Sequence, residues 1–268
     1  MQEKLPEYKL FAIRYATRDG RRPDHFLDGD PHNVAMPMDY FIWVAIGNDK
    51  TFVIDTGFTK EVAEKRKRTF LFCPIQALSK LGIESGDVSD VIITHLHYDH
   101  AGNFDRLPNA CFHIQEKEIQ FATGRHMRFP NMSRPFEIED VCKIIHLNYK
   151  QRVKMYTGFT ELSPGIRLHP TGGHTEGLQF VSVHTARGWV AIASDVSHFY
   201  ANVDENRPFR LAVHVGSMME GFEKLRSASS SPEHIIPGHD PQVMNRYPAA
   251  SKKLAGTVVS LHLPPQIT

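Results

Sequence analysis

THLHYDHAGN, residues 94–103, sets three histidines and an aspartate, His95, His97, Asp99 and His100, into six positions. Directly before it, Val91-Ile92-Ile93-Thr94 is a β-branched run that reads as a buried strand, and Ala101-Gly102-Asn103 follows as a turn or helix start. The ligand-bearing side chains therefore fall where a strand ends. In an extended chain alternate side chains point the same way, so His95, His97 and Asp99 can face one point. His100 has the opposite parity and reaches that region only if the chain turns. Imidazoles and a carboxylate with no thiolate suit Zn(II), with Mn, Fe, Co and Ni also within the range of these ligand types. From the chain's own histidine and aspartate content, HxHxDH arises somewhere by chance with a probability of roughly three in a thousand, which favours a ligand set over a histidine-rich loop.

Moving outward, the pattern alternates strands with helices. FIWVAIGNDKTFVIDTG (41–57) reads as a hairpin turning at Gly47-Asn48-Asp49-Lys50, its second strand ending on Asp55. LQFVSVHTARGWVAIASD (178–195) repeats the unit, with a turn at Thr185-Ala186-Arg187-Gly188 and a strand ending on Asp195. A further strand is expected over Tyr8–Tyr15. PIQALSKLG predicts a short helix with Ile75, Leu78 and Leu81 on one face and Gly82 as its stop. Val215, Met218, Met219, Phe222 and Leu225 predict a helix over 214–226, with the methionines as core filler. This alternation points to an α/β or mixed αβ architecture in one domain spanning 1–268.

Composition narrows the function. The chain has 268 residues, 41% hydrophobic and 23% charged, as in an ordinary globular protein. Its 31 basic and 30 acidic side chains give a net charge of +1, which argues against nucleic acid as a partner. The basic run Lys65-Arg66-Lys67-Arg68 reads as a solvated helix face rather than an anionic-ligand site. Cys73, Cys111 and Cys142 are odd in number and widely spaced, so free buried thiols are expected. No long apolar run predicts a membrane span, and MQEKLPEYKL has neither an apolar core nor a cleavage pattern, so a cytoplasmic protein is expected.

THLHYDHAG resembles the signature of the metallo-β-lactamase superfamily, and further blocks resemble the rest of its pattern in order. PTGGHTEG (170–177) is similar to the third-histidine loop, with His174. IASD (192–195) is similar to the bridging-aspartate block, with Asp195, and IPGHD (236–240) to the last-histidine block, with His239. VIDTG, with Asp55, resembles the early strand-end motif. The resemblance implies a four-layer αβ/βα sandwich, a mixed αβ fold, with a dinuclear site at one edge. It assigns His95, His97 and His174 to one metal, Asp99, His100 and His239 to the other, and Asp195 to the bridge between two divalent ions, zinc first among them. Asp55 is the candidate to hold a ligating imidazole from behind, with Thr94 and Asp240 equally near ligands in sequence.

Such a site implies a hydrolase in which a metal-activated hydroxide attacks a carbonyl and Asp99 relays a proton to the leaving group. The chain length, the HxHxDHAG form, the segment between Phe26 and Tyr40 and the closing GHD loop look most like the N-acyl-homoserine lactone lactonases. A small lactone or ester is the expected substrate, quorum quenching one expected role, and a homodimer is common in that branch. The branch carries a tyrosine three residues after the bridging aspartate, whereas this chain has His198 there, with Tyr200 as a substitute if the loop bends. His198 is expected to donate a hydrogen bond to the substrate carbonyl. Phe129, Phe136, Tyr149, Tyr156 and Phe159 are candidates to line the pocket. Thioester hydrolysis of the glyoxalase II kind is the alternative, and would want a cationic patch. A di-iron redox protein on the same fold normally has an acid where His97 stands.

Overall fold

The computed structural model describes residues 4–266. Met1–Glu3, part of the stretch read for an export signal, lie outside the described residues. In chain order the strands are β1 (Lys9–Arg18), β2 (Met38–Ile46), β3 (Thr51–Ile54), β4 (Thr69–Phe70), β5 (Asp90–Ile92), β6 (Cys111–Gln115), β7 (Val153–Tyr156), β8 (Thr160–Ser163), β9 (Ile166–Pro170), β10 (Gln179–Thr185), β11 (Gly188–Ser194), β12 (Ile235–Pro237) and β13 (Val258–Ser260). One sheet runs β13-β1-β2-β3-β5-β6-β7, with β4 on β1, and the other runs β12-β11-β10-β9-β8. The helices that matter to the site are α1 (Lys60–Arg66), α2 (Glu116–Ala122), α3 (Pro130–Ser133), α4 (Ile138–Tyr149), α5 (Tyr200–Asp204) and α6 (Val215–Ala228).

Alternation along the strands sorts the core into layers. Leu10, Ala12, Phe41, Trp43, Phe52 and Ile54 point between the sheets, where they meet Leu168, Val181, Val183, Val190 and Ile192. Their neighbours Phe11, Ile13, Ile42, Val44 and Val53 point outward to pack with Ala63 of α1 and Ile144 of α4. On the far side, Phe180, Ala191 and Ala193 pack with Phe222 and Leu225 of α6. The fold is thus the expected mixed αβ sandwich of two sheets between helical layers.

Both hairpins form: Gly47 N–H bonds Lys50 O at 2.8 Å, and Thr185 pairs with Gly188. Residues 76–81 form a tighter 3₁₀ helix instead of an α-helix, stopped by Gly82 at φ 75°. In α6, Met218, Phe222 and Leu225 are buried as expected, but Val215 is exposed in the first turn. The strand before the motif ends at Ile92, two residues earlier than expected. The cysteines are free, but Cys142 is exposed and the other two are half-buried, so none is a fully buried thiol.

β3 and β5 are parallel, as are β11 and β12, so all four chains leave their strands at the same edge of the sandwich. That edge carries Asp55, the 94–103 loop, Asp195 and His239. Gln179 ties the sheets there, its backbone N–H bonding Thr94 O at 3.1 Å and its side chain bonding Ile93 O at 2.9 Å.

Candidate metal centre

Residues 95–100 turn rather than extend: the backbone N–H groups of His100 and Ala101 both bond His97 O at 3.0 Å. The parity expectation that put Asp99 with His95 and His97 is therefore corrected. The turn breaks the alternation after His97, so Asp99 and His100 project together while His95 and His97 project elsewhere. Three neighbours fix the turn. Tyr15, at a bulge in β1, donates to Asp99 O at 2.8 Å. Thr56 N–H bonds His100 O at 2.8 Å. At Gly102 a Cβ would lie 2.5 Å from Gly57 O, which is why a residue without one follows the motif.

Folding brings His95, His97, His174 and Asp195 into one group and Asp99, His100 and His239 into a second. Within each group the potential ligand atoms lie within 4.8 Å of one another, and every member is buried. Asp195 stands between the groups. Its Oδ1 is 3.1 Å from His100 Nε2 and 3.0 Å from His239 Nε2, and its Oδ2 is 3.0 Å from His174 Nε2 and 3.6 Å from His95 Nε2. Asp99 Oδ2 lies 3.7 Å from His239 Nε2 and 3.9 Å from His100 Nε2. His198 joins the edge of the cluster, its Nε2 3.1 Å from Asp195 Oδ2 and its ring stacked on Phe209 at 3.4 Å.

The outer faces of these imidazoles are held by fixed acceptors. His174 Nδ1 donates to Leu211 O at 2.7 Å, and His239 Nδ1 to Asp39 O at 2.9 Å. His100 Nδ1 lies 2.8 Å from Asp55 Oδ2. With its proton on Nδ1, each of these rings turns an Nε2 lone pair inward, the tautomer a metal ligand needs. Asp55 also accepts from the backbone and hydroxyl of Thr94, both at 2.8 Å, and the Thr94 hydroxyl contacts His95 Nδ1 at 3.2 Å. Asp240 instead takes the backbone N–H groups of Tyr200 and Gln242, at 3.1 and 2.9 Å.

Sequence reasoning missed Glu118, the buried acid of α2. Its Oε1 accepts Leu96 N–H at 2.9 Å, between His95 and His97, and its Oε2 accepts the Thr175 hydroxyl at 2.6 Å and Gly177 N–H at 3.1 Å, beside His174. One carboxylate so registers two ligand loops. Gly177 permits the approach, since a Cβ there would fall 2.1 Å from Glu118 N. No local pattern marks Glu118, because its partners are far away in the chain.

Burial, reinforced by neighbouring imidazoles, pushes His95 and His97 well below the ordinary histidine range, which keeps them neutral. Burial would also lower His100, but the carboxylates of Asp195, Asp55 and Asp99 outweigh it and raise it. Burial raises Asp55. For Asp195 burial acts the same way, yet the surrounding imidazoles win and hold it ionised, well below the usual carboxylate range. The Nε2 atoms of His95 and His100 are buried with no hydrogen-bond partner among the described residues. Leaving such groups unmade costs about 1–3 kcal/mol each, and a cation would satisfy both. The donor set fits a metal.

Over the cluster lies a cleft of about 770 Å³, lined by His97, Asp99, His174, Asp195, His198 and His239 at its floor. The aromatics named as candidates to line it do not. Phe129, Tyr149 and Phe159 are exposed elsewhere, and Phe136 is buried against the His97 ring at 4.7 Å. Tyr156 packs on His113. Tyr40, Tyr98 and Phe209 line it instead. Tyr200 packs in the core between the sheets, under Arg246, and does not replace His198. The basic run is also not a solvated face. Arg66 bonds Glu137 at 2.7 Å, and Arg66 and Arg68 both line the cleft. Helix α1 stops at Arg66, and Lys67, at φ 54°, swings Arg68 inward.

Comparison with known proteins adds the following. An N-acyl homoserine lactonase of Bacillus thuringiensis is 31% identical over 136 residues, which is 50% of this chain and 49% of that protein. The chain thus spans about half the length of the curated relatives it matches. A "Probable metallo-hydrolase" of Mycobacterium tuberculosis is 22% identical over 218 residues, 74% of this chain and 70% of the other. The crystal structure of a quorum-quenching N-acyl homoserine lactone lactonase superposes with a TM-score of 0.74 at 21% identity, covering 89% of this chain and 94% of that one. A dizinc quorum-quenching lactonase with N-hexanoyl-homoserine product gives a TM-score of 0.70 at 16% identity over 99% of this chain and 97% of that one. The profile of the Metallo-beta-lactamase superfamily matches residues 36–251. Its span contains every member of both donor groups, and the chain belongs to the metallo-β-lactamase superfamily.

Proposed function

We propose that the protein is a hydrolase with two divalent metal ions, zinc by ligand type, that opens a small lactone or ester. The observation that carries this reading is Asp195, whose two oxygens face separate sets of imidazoles on the floor of an open cleft. His95, His97 and His174 would hold one cation and Asp99, His100 and His239 the other, with Asp195 shared. Bound there, the cations would supply Lewis acidity toward a carbonyl oxygen and a water-derived nucleophile at neutral pH.

The chain's own groups do the rest. Asp99 reaches the cleft and is placed to carry a proton to the departing oxygen. His198 is held by its stack on Phe209 and by Asp195 at its Nε2, and its buried Nδ1 has no hydrogen-bond partner among the described residues, which leaves that nitrogen to serve a substrate carbonyl as donor. Relatives named for N-acyl homoserine lactones make these lactones, and a quorum-quenching role, the first substrates to try. Three unpaired thiols fit the cytoplasm, and no described helix is long and apolar enough to cross a membrane. The arginines around the cleft favour one second reading, hydrolysis of an anionic thioester such as a glutathione conjugate.

The test is metal analysis of the purified protein together with a panel of acyl-homoserine lactones, simple lactones, aryl esters and glutathione thioesters. Two ions per chain and turnover of lactones or esters are expected. Fewer than two ions at full loading, or an inert loaded protein, would overturn the reading.

A further inference from the structure

We infer that the substrate carries an anionic group, a carboxylate or phosphate, on the part of the molecule that points away from the scissile carbonyl. The inference rests on the hydrolase reading above and names the substrate class for the same cleft.

Five arginines, Arg18, Arg66, Arg68, Arg134 and Arg210, line that cleft against three acids. Two of the acids, Asp99 and Asp195, belong to the donor groups, so beyond the cluster Asp24 alone opposes the five. The chain as a whole is near neutral at +1, so this is a local concentration of charge and not a share of a general excess. Among the described residues, only Arg66 of the five has a carboxylate partner, Glu137. Arg18 turns its Nε and Nη2 onto the Met38 sulfur at 3.1 and 2.7 Å, a weak neutral acceptor that leaves its charge uncompensated.

The arginines are built into the site rather than scattered near it. Arg68 Nε donates to Tyr98 Oη at 3.0 Å, Tyr98 Oη lies 3.1 Å from Tyr40 Oη, and the Tyr40 ring packs edge-on to His239 at 5.3 Å. Arg68 is thereby two side chains from a candidate metal ligand. Its Nη1 is anchored on Arg66 O at 2.7 Å, while its Nη2 makes no hydrogen bond among the described residues. The Arg66 guanidinium carbon sits over the Tyr98 ring, 3.9 Å from its centroid, a cation–π contact. Arg210 precedes Leu211, whose carbonyl holds His174, and Arg134 precedes Pro135, whose carbonyl takes Tyr98 N–H at 2.8 Å. Both are exposed at the rim with no side-chain partner among the described residues.

Uncompensated guanidinium groups in one cleft repel each other, and an anion that accepts from two of them relieves that repulsion while gaining charge-assisted hydrogen bonds. A neutral acyl chain would leave the charges unmet. A cleft of about 770 Å³ suits a small molecule and not a nucleic acid strand.

The test uses the metal-loaded full-length protein with substrates matched except for charge. The pairs are 4-nitrophenyl pentanoate against mono-4-nitrophenyl glutarate, and N-pentanoyl against N-glutaryl homoserine lactone. At low ionic strength kcat/KM is expected to favour the anionic member by about tenfold or more, shrinking as salt is added. In the Arg134→Gln/Arg210→Gln double variant, and separately in Arg68→Gln, that ratio falls toward one. Calorimetric titration reads the same contact without turnover: glutarate binds about tenfold tighter than pentanoate, and the double variant loses the difference. A 4-phosphonobutyrate arm tells phosphate-like from carboxylate recognition by which dianion binds tighter. Equal kcat/KM within both pairs would overturn the inference while leaving the hydrolase reading intact, as would a ratio undiminished in the double variant. Charge-dependent glutarate binding with no ester or lactone turnover would sink the hydrolase reading and leave only recognition of an anion by the cleft.

Discussion

Asp55 and Asp195 occupy the same place in two hairpins, each one step past the second strand, where the chain leaves the sheet, and each is fully buried. They are spent differently. Asp55 is filled by the chain: the Thr94 backbone and hydroxyl and His100 Nδ1 each reach it at 2.8 Å. Asp195 looks out among Nε2 atoms, and no backbone donor among the described residues fills it. Equal position in a motif therefore did not decide the role. What decided it was whether the next loop bends back to bond the carboxylate, as 94–100 does at Asp55, or leaves it open to the cleft.

The contrast is sharpest if each acid is removed. Asp195→Asn is expected to reduce kcat/KM about a thousandfold, ~4 kcal/mol of transition-state stabilisation, and to bring metal below two ions per chain. A variant that kept both ions and near-normal turnover would erase the distinction from Asp55. Asp55→Ala strands three buried donors and is expected to cost about 3 kcal/mol of folding stability, read by urea titration. Its effect on metal binding should be smaller, about 10–100-fold in affinity.

His198→Ala is expected to lower kcat about tenfold to a hundredfold with metal content unchanged, measured by kinetics alongside metal analysis. Full activity would make His198 a packing residue against Phe209. The smallest effect concerns another buried acid, Asp140 on α4, whose one cationic partner among the described residues is Lys143 at 3.9 Å and whose carboxyl burial pushes up to about 6. Because the folded state holds that proton more tightly than the unfolded chain, stability from this group is complete below about pH 4 and lost as pH rises through 6. Asp140→Asn should therefore raise the midpoint of thermal unfolding at pH 8, by about 1–2 kcal/mol in stability after allowing for partial exposure, and change nothing at pH 4.

How much of this was legible depended on range. The hairpins and the ligand-type residues follow from short patterns, because each is fixed by neighbours in sequence, whereas the sandwich and the grouping of the ligands were legible only as what the resemblance to the metallo-β-lactamase pattern implies. The helix at 76–81 and its stop at Gly82 were legible, but its 3₁₀ type was not, because six residues cannot distinguish a 3.0 from a 3.6 repeat. The Lys65–Arg68 run misled because one left-handed residue, Lys67, splits it between an outward helix and an inward strand approach. Glu118 was invisible because its three acceptor contacts go to Leu96, Thr175 and Gly177, and nothing near it in the chain announces them.

His174 and His239 lean on the carbonyls of Leu211 and Asp39, and a carbonyl belongs to every amino acid alike. The side chains of Arg210 and Leu211 can therefore be exchanged without withdrawing the brace beneath His174. The rim is in effect an interchangeable faceplate over fixed machinery, so new selectivity can be sought at Arg210 and Leu211 with the cation chemistry left in place.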